Sequence, residues 1–167
     1  MKELWTEKYR PKSIQEYVFK DDAHRKQILA WIKEGSIPHL LMSGSPGIGK
    51  TTLAKVLLNE LHIEDYDVLE VNASRETGID FIRDKIVPFI SMIPFGPFKV
   101  VILDEADRLS QQAQDSLKGI IEEYSSHARF ILTCNNPNRV QQPIKSRCQQ
   151  MHFTSCLLYT SDAADDT

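Results

Sequence analysis

The stretch Leu40-Leu41-Met42-Ser43-Gly44-Ser45-Pro46-Gly47-Ile48-Gly49-Lys50-Thr51-Thr52 constrains this chain more than any other. An apolar run enters glycine-rich backbone, and that backbone leads into Leu53 to Leu61, whose apolar residues recur at helical spacing. The order is strand, loop, helix. Gly44, Gly49, Lys50 and Thr51 fill the spacing G-x-x-x-x-G-K-S/T. Glycines let backbone N–H groups turn inward around anionic oxygens, and a helix starting near Lys50 aims the positive end of its dipole at them. Gly44, Ser45, Pro46, Gly47, Ile48, Gly49, Lys50, Thr51 and Thr52 are therefore assigned to a nucleotide polyphosphate such as ATP. Lys50 neutralises the β- and γ-phosphates, and the Thr51 hydroxyl holds Mg²⁺.

At 167 residues the chain suits one domain with a normal core. No apolar run reaches the ~18 residues of a membrane span. The start Met1-Lys2-Glu3-Leu4-Trp5-Thr6-Glu7-Lys8 lacks the apolar region of a signal peptide. The expectation is a cytosolic protein with no membrane partner. Cys134, Cys148 and Cys156 are odd in number and contain no C-x-x-C pair, so neither a disulfide framework nor a zinc site is indicated. The formal charge of −3 vanishes when Asp162, Asp165 and Asp166 of the last fourteen residues are set aside. Net charge thus says nothing about nucleic acid; only the placement of basic side chains can.

Along the chain, Trp5 to Pro11 forms a polar extended arm, because Pro11 disfavours helix at Arg10. A helix runs from Asp22 to about Glu34, closed by Gly35, and Val68 to Asn72 alternates as a strand. Gly78 to about Ile93 has helical spacing, with Pro88 expected to bend or break it, and Pro94-Phe95-Gly96-Pro97 is a turn. Lys99 to Leu103 is apolar without alternation, as in a parallel strand covered on both faces, and it ends on Asp104-Glu105-Ala106-Asp107. Four apolar residues followed by Asp-Glu, about fifty residues after a phosphate loop, form a Walker B strand. Asp104 is assigned to Mg²⁺ and Glu105 to activating the attacking water. Ser110 caps a helix to about Tyr124, Arg129 to Cys134 is a buried strand, Pro143 to Arg147 a short helix or turn, and Gln149 to Phe153 an edge strand. These elements describe an α/β fold, a doubly wound parallel sheet of five strands flanked by helices. Ligands of such sheets sit at the carboxyl ends of strands. Gly44, Asn72, Asp104, Glu105 and Asn135 all fall there, which makes them one site.

The motifs W-T-E-K-Y-R-P, G-S-P-G-I-G-K-T, N-A-S followed by G-I-D, V-I-L-D-E-A-D, F-I-L-T-C-N and S-R-C occur in an order that resembles one family. This is the small subunit of the sliding-clamp loader, replication factor C, of archaea, eukaryotes and related phages. The resemblance covers about residues 1–153 and implies the ATPase core of an AAA+ module without its helical lid and collar. Residues 154–167 are expected to be a non-native or disordered tail. The resemblance further implies an assembly of five subunits that uses ATP and Mg²⁺ to open a sliding clamp and load it on primer–template DNA. It implies a cytoplasmic location, nuclear in a eukaryote and in the host cytoplasm for a phage. It makes Asn135 the sensor of the γ-phosphate and Asn72 the switch that holds Glu105 inactive. Tyr9, Arg10 and Pro11 lie near the adenine, and Arg147, on a turn expected to be exposed at a flank, becomes an arginine finger acting on the neighbouring subunit's site.

Two departures from the family pattern stand out: Gly119 after Lys118, where a second basic residue is usual, and Arg75 and Thr77 in place of an acid and an arginine. Arg75, Arg83 and Lys85, around the helix that starts near Gly78, are assigned to the DNA backbone. Other assignments within the same fold are a branch-migration helicase or a replication initiator, which leave the Y-R-P arm and S-R-C unexplained. A non-hydrolysing scaffold subunit would not need Lys50, Asp104 and Glu105 together.

Overall fold

The computed structural model describes residues 22–153. The Trp5 to Pro11 arm, with the adenine assignment of Tyr9, Arg10 and Pro11, lies outside the described residues, as does the tail after Phe153.

Five strands, β1 (Leu40–Ser43), β2 (Val68–Asn72), β3 (Lys99–Asp104), β4 (Ala128–Cys134) and β5 (Gln149–His152), form one sheet in the order β2-β3-β4-β1-β5. All neighbours are parallel. The helices between them are α1 (Asp22–Glu34), α2 (Lys50–Glu60), α3 (Ile79–Phe81), α4 (Val87–Ile90), α5 (Gln111–Glu123) and α6 (Gln142–Lys145). Because side chains alternate along a strand, the unbroken apolar runs serve two cores. Val101 and Leu103 of β3, Phe130 and Leu132 of β4 and Leu41 of β1 pack with Ile82, Ile86, Ile90, Leu117 and Ile121 on one face. Val100, Ile102, Ile131, Leu40 and Met42 pack with Ile28, Leu53 and Leu57 on the other. Burying each such side chain contributes about 1.5–3 kcal/mol, so the two-sided sheet holds the site's backbone rigid.

The expected Asp22–Glu34 helix is present, and Gly35 at φ 75° follows it. Ser110 caps α5 by accepting the Ala113 N–H at 3.1 Å. Pro88 neither breaks the second helical stretch nor stops it. It removes the N–H that an α-helix would aim at the Asp84 carbonyl. The chain meets this with a π turn over Ile82–Ile86 and continues as α4 to Ile90, three residues short of the expected end. Among the described residues no helix is long and apolar enough to cross a membrane.

Candidate active site

The β1–α2 loop holds three glycines at positive φ, among them Gly47 at 78°. Gly44 has φ 149°, and a Cβ there would meet Ile48 Cδ1 at 2.5 Å and the Phe153 carbonyl at 2.6 Å. Gly49, the residue before α2, is left-handed at φ 94°. An L side chain is strained in either conformation. The helix that follows has no side-chain N-cap and no acid in its first turn. Its leading N–H groups are thus left facing the loop rather than a side chain of their own.

Lys50 lies buried at the start of α2. Its ammonium donates to the carbonyls of Gly44 at 2.5 Å and Cys134 at 3.0 Å and to Asn135 Oδ1 at 3.1 Å. All three acceptors are neutral. Burial lowers the lysine pKa from its ordinary value, while Asp107, Asp104 and Glu105 oppose that shift from a distance. A cation desolvated this far and bonded only to neutral oxygens is a seat for an anion.

The parallel register sets Asn72 beside Asp104 at the ends of β2 and β3. Thr51 Oγ1 and Thr133 Oγ1 each donate to Asp104 Oδ1 at 3.0 Å, and the Glu105 N–H donates to Thr133 Oγ1 at 3.2 Å. Burial raises the Asp104 pKa, and the two hydroxyl bonds work against that rise. A hydroxyl and a desolvated carboxylate side by side are hard oxygen donors of the kind Mg²⁺ takes. Glu105 turns back at φ 59°, ψ 44°, and its Oε2 accepts the Asn72 side-chain N–H at 3.1 Å. Asn72 is itself fixed, its Oδ1 accepting from Ser74 N at 2.8 Å and Ser74 Oγ at 2.6 Å. Pro46, Gly47, Lys50, Thr51, Asn72, Asp104, Glu105, Thr133 and Asn135 line a single cavity of about 310 Å³. A larger cavity of about 690 Å³, between Arg108, Ser110 and Arg139 at the start of α5, has no lysine on its lining, and its Ser110 hydroxyl and Asp107 carboxylate accept from the backbone N–H groups of Ala113 and of Asn135 and Asn136. The chemistry therefore selects the smaller one.

Motif spacing missed two members of this site. Thr133 bridges Asp104 to the Glu105 backbone; a polar residue near the end of an otherwise apolar strand was the available signal. Asp107 accepts the N–H groups of Asn135 and Asn136 at 3.3 and 3.0 Å and so aims Asn135 at Lys50.

The remaining candidates lie elsewhere. Arg83 pairs with Asp80, and with Asp84 at 3.9 Å; Lys85 pairs with Glu76 at 2.7 Å; Arg75 is exposed on the turn after β2. Arg147 precedes β5, whose first residue is in register with the first residue of β1, whereas the phosphate loop follows the last. Arg147 and the chain's own Lys50 are thus at opposite ends of the sheet, about 10 Å or more apart by strand rise. Its guanidinium is folded back, Nη1 donating to the Pro143 carbonyl at 2.6 Å and Nη2 pairing with Glu122.

The end of the expected helix and the turn after it present Met92, Ile93 and Phe95 to solvent, the last two 87% and 79% exposed. Tyr66 packs edge-on against Phe95. Beneath them Asp67 and Lys99, both fully buried, pair at 3.2 Å, and Asp67 accepts the N–H groups of Phe95 and Gly96 at 3.2 and 2.8 Å. Burial opposes the aspartate's charge, but these N–H groups and Lys99 hold its pKa below the usual carboxylate value.

Residues 40–155 match the family described as "ATPase family associated with various cellular activities (AAA)". The replication factor C small subunit of Methanococcus maripaludis strain C5 is 43% identical over 170 residues, which cover 99% of this chain and 53% of that protein. That of Archaeoglobus fulgidus is 44% identical over 155 residues, 90% of this chain and 48% of that protein. The chain thus spans about half the length of these curated relatives. Among solved structures, the RuvB Holliday junction branch migration motor of Thermotoga maritima superposes with a TM-score of 0.68 at 22% identity, over 87% of this chain and 48% of that one. A DNA polymerase III gamma subunit-related protein of the same organism gives 0.64 at 21% identity, over 81% of this chain and 48% of that one. At these identities the two structures speak for the fold alone.

Proposed function

This chain belongs to the AAA family of ATPases, and from that premise we propose that it is the ATP-hydrolysing core of a clamp-loader small subunit of the replication factor C type. The observation that carries the reading is Lys50, a buried ammonium bonded to neutral oxygens beside the Thr51–Asp104 pair. Lys50 would exchange the Gly44 and Cys134 carbonyls for β- and γ-phosphate oxygens, and the uncapped start of α2 would receive the rest of the phosphate chain. Thr51 and Asp104 would hold Mg²⁺, which would supply positive charge to neutralise the phosphates. Glu105 accepts the proton of the water whose oxygen bonds to the γ-phosphorus as the bond to the β-phosphate oxygen breaks. In the structure that carboxylate is held by Asn72, so the Asn72–Glu105 bond must open first, which is the behaviour of a switch. Asn135, hydrogen-bonded to Lys50 and aimed by Asp107, stands where a γ-phosphate would be sensed.

Arg147, at the far end of the sheet from its own site, serves the neighbouring subunit in a ring of five. The intact Glu105 and its switch favour hydrolysis over a scaffold role. The partners are the other loader subunits, a sliding clamp and primer–template DNA. Arg75, Arg83 and Lys85 would track the DNA backbone, Arg83 and Lys85 by exchanging their solvated acidic partners for phosphates. The exposed loop of Met92, Ile93 and Phe95, on its buried ion-paired base, supports a protein partner at that end of the domain, and the clamp is the partner assigned to it.

The test is calorimetric titration of the chain with ATP and Mg²⁺ against its Lys50→Ala variant. Binding is expected in the former and none in the latter; equal affinity would refute the assignment of the loop.

A further inference from the structure

Both terminal nitrogens of Arg147 are spent within its own chain. Nη1 donates to the Pro143 carbonyl at 2.6 Å, and Nη2 is paired with Glu122 on the last turn of α5. These terminal nitrogens are the edge with which a guanidinium makes a bidentate bond to phosphate. As placed, that edge faces inward along its own subunit. The preceding residues are fixed on α5 as well, since Gln141 donates from its backbone N–H to Gln114 Oε1 at 2.8 Å and from its side chain to Asp115 at 3.0 Å. The segment that carries Arg147 is therefore rigid, and what remains free to change is the side chain and its hold on Glu122.

From this geometry we propose that Glu122 is a latch for Arg147. In a subunit without a neighbour it holds the guanidinium folded back; when a neighbour presents its bound triphosphate, the guanidinium exchanges the carboxylate for the phosphate. The inference rests on the reading of Arg147 as a residue that acts between subunits. Glu122 suits the task because the pair is solvated, the side chains being 31% and 49% exposed, and such pairs are weak enough to be surrendered. A buried pair would resist release. Lys118 lies four residues before Glu122 on the same face of α5 and makes no ion pair among the described residues, so the carboxylate has a second cation to turn to. The Gly119 that follows Lys118 leaves that neighbourhood open, with nothing within 4 Å of where a Cβ would stand.

The experiment measures ATP turnover by the full-length assembly with and without clamp and primed DNA, for Glu122→Gln, Arg147→Ala and the double variant. Glu122→Gln keeps size and hydrogen bonding while removing the charge. It is expected to raise the unstimulated rate about 3- to 5-fold, the most a solvated pair of this kind is worth, and to leave the stimulated rate and the melting temperature unchanged. The double variant should match Arg147→Ala alone. A fall in the unstimulated rate would mean that Glu122 orients the arginine for use rather than withholding it, and no change would mean that the pair is incidental; either overturns the latch. Full activity in Arg147→Ala would overturn the reading beneath it, and the single Arg147 variant reports that outcome separately.

Discussion

Asn72 and Glu105 are joined by one hydrogen bond of 3.1 Å, and the proposed chemistry turns on it. Glu105→Gln retains the shape of the site and loses the ability to accept a proton. Turnover in the assembled protein should fall by about 10² or more, with ATP affinity in the titration unchanged; a wild-type rate would move the base to another residue. Asn72→Ala frees the carboxylate, so its expected effect is a higher rate without DNA. At this scale the sequence was informative wherever a residue type is imposed by chemistry: Gly44 and Gly49 by backbone angle, Lys50 by charge, Asp104 and Glu105 by their place at a strand end. Thr133 and Asp107 stayed hidden because their roles exist only once β3 and β4 lie side by side. Neither a hydroxyl near the end of a strand nor an aspartate in a turn announces its partner.

Between residues and the whole molecule, two elements carry consequences that periodicity could not convey. His39, just before β1, accepts the Phe130 N–H on Nδ1 at 3.1 Å and gives its carbonyl to the Gln149 N–H at 2.8 Å, so it fixes the start of three neighbouring strands. Burial, with Arg129 adding repulsion, lowers its pKa from 6.5 to about 4. The folded state therefore binds its proton later than the unfolded chain. The contribution of His39 is complete above pH 6.5 and is lost as pH falls through about 4. Between those limits the wild type should lose about 1–3 kcal/mol relative to His39→Gln in parallel denaturation curves; identical pH profiles would exclude His39 as the cause. The second element is the loop of Met92, Ile93 and Phe95, read from spacing as the end of a helix and from its prolines and glycine as a turn, and nothing more. What the sequence could not convey was that Asp67, 28 and 29 residues away from Phe95 and Gly96, would take their N–H groups and hold the apolar residues outward. Ile93→Ser and Phe95→Ser should leave the melting temperature within the small range of surface changes and weaken clamp binding about 10-fold or more. Undiminished clamp binding would assign the loop to another partner. The path of the Ile79–Ile90 stretch belongs here as well, since the expected break at Pro88 is absent and the chain passes the proline through a π turn.

For the molecule as a whole, the alternation of strand and helix signals was enough to expect a doubly wound sheet, and the five strands occur where apolar runs placed them. Their order is another matter. Inserting β4 between β1 and β3 brings Cys134 and Asn135 to Lys50, 84 and 85 residues apart in the chain, and no local pattern encodes so distant a pairing. That order also bears on the proposal that a neighbour completes the site. Lysine, threonine, carboxylates and sensor converge at the carboxyl ends of the strands, while Arg147 leaves from the opposite end. Under the proposed function, one chain would offer a nucleotide site at one end and a cation for another copy's site at the other. The isolated chain should bind ATP and hydrolyse it very slowly. In the full-length assembly, Arg147→Ala should cost about 10³ or more in turnover with its own subunit's nucleotide affinity nearly intact. The most direct measurement mixes an Arg147→Ala subunit with a Lys50→Ala subunit, each inactive alone, and follows ATP turnover with clamp and primed DNA present. Partial recovery of activity in the mixed assemblies is the predicted result; rapid hydrolysis by the isolated chain, independent of its concentration, would contradict a site completed by a neighbour.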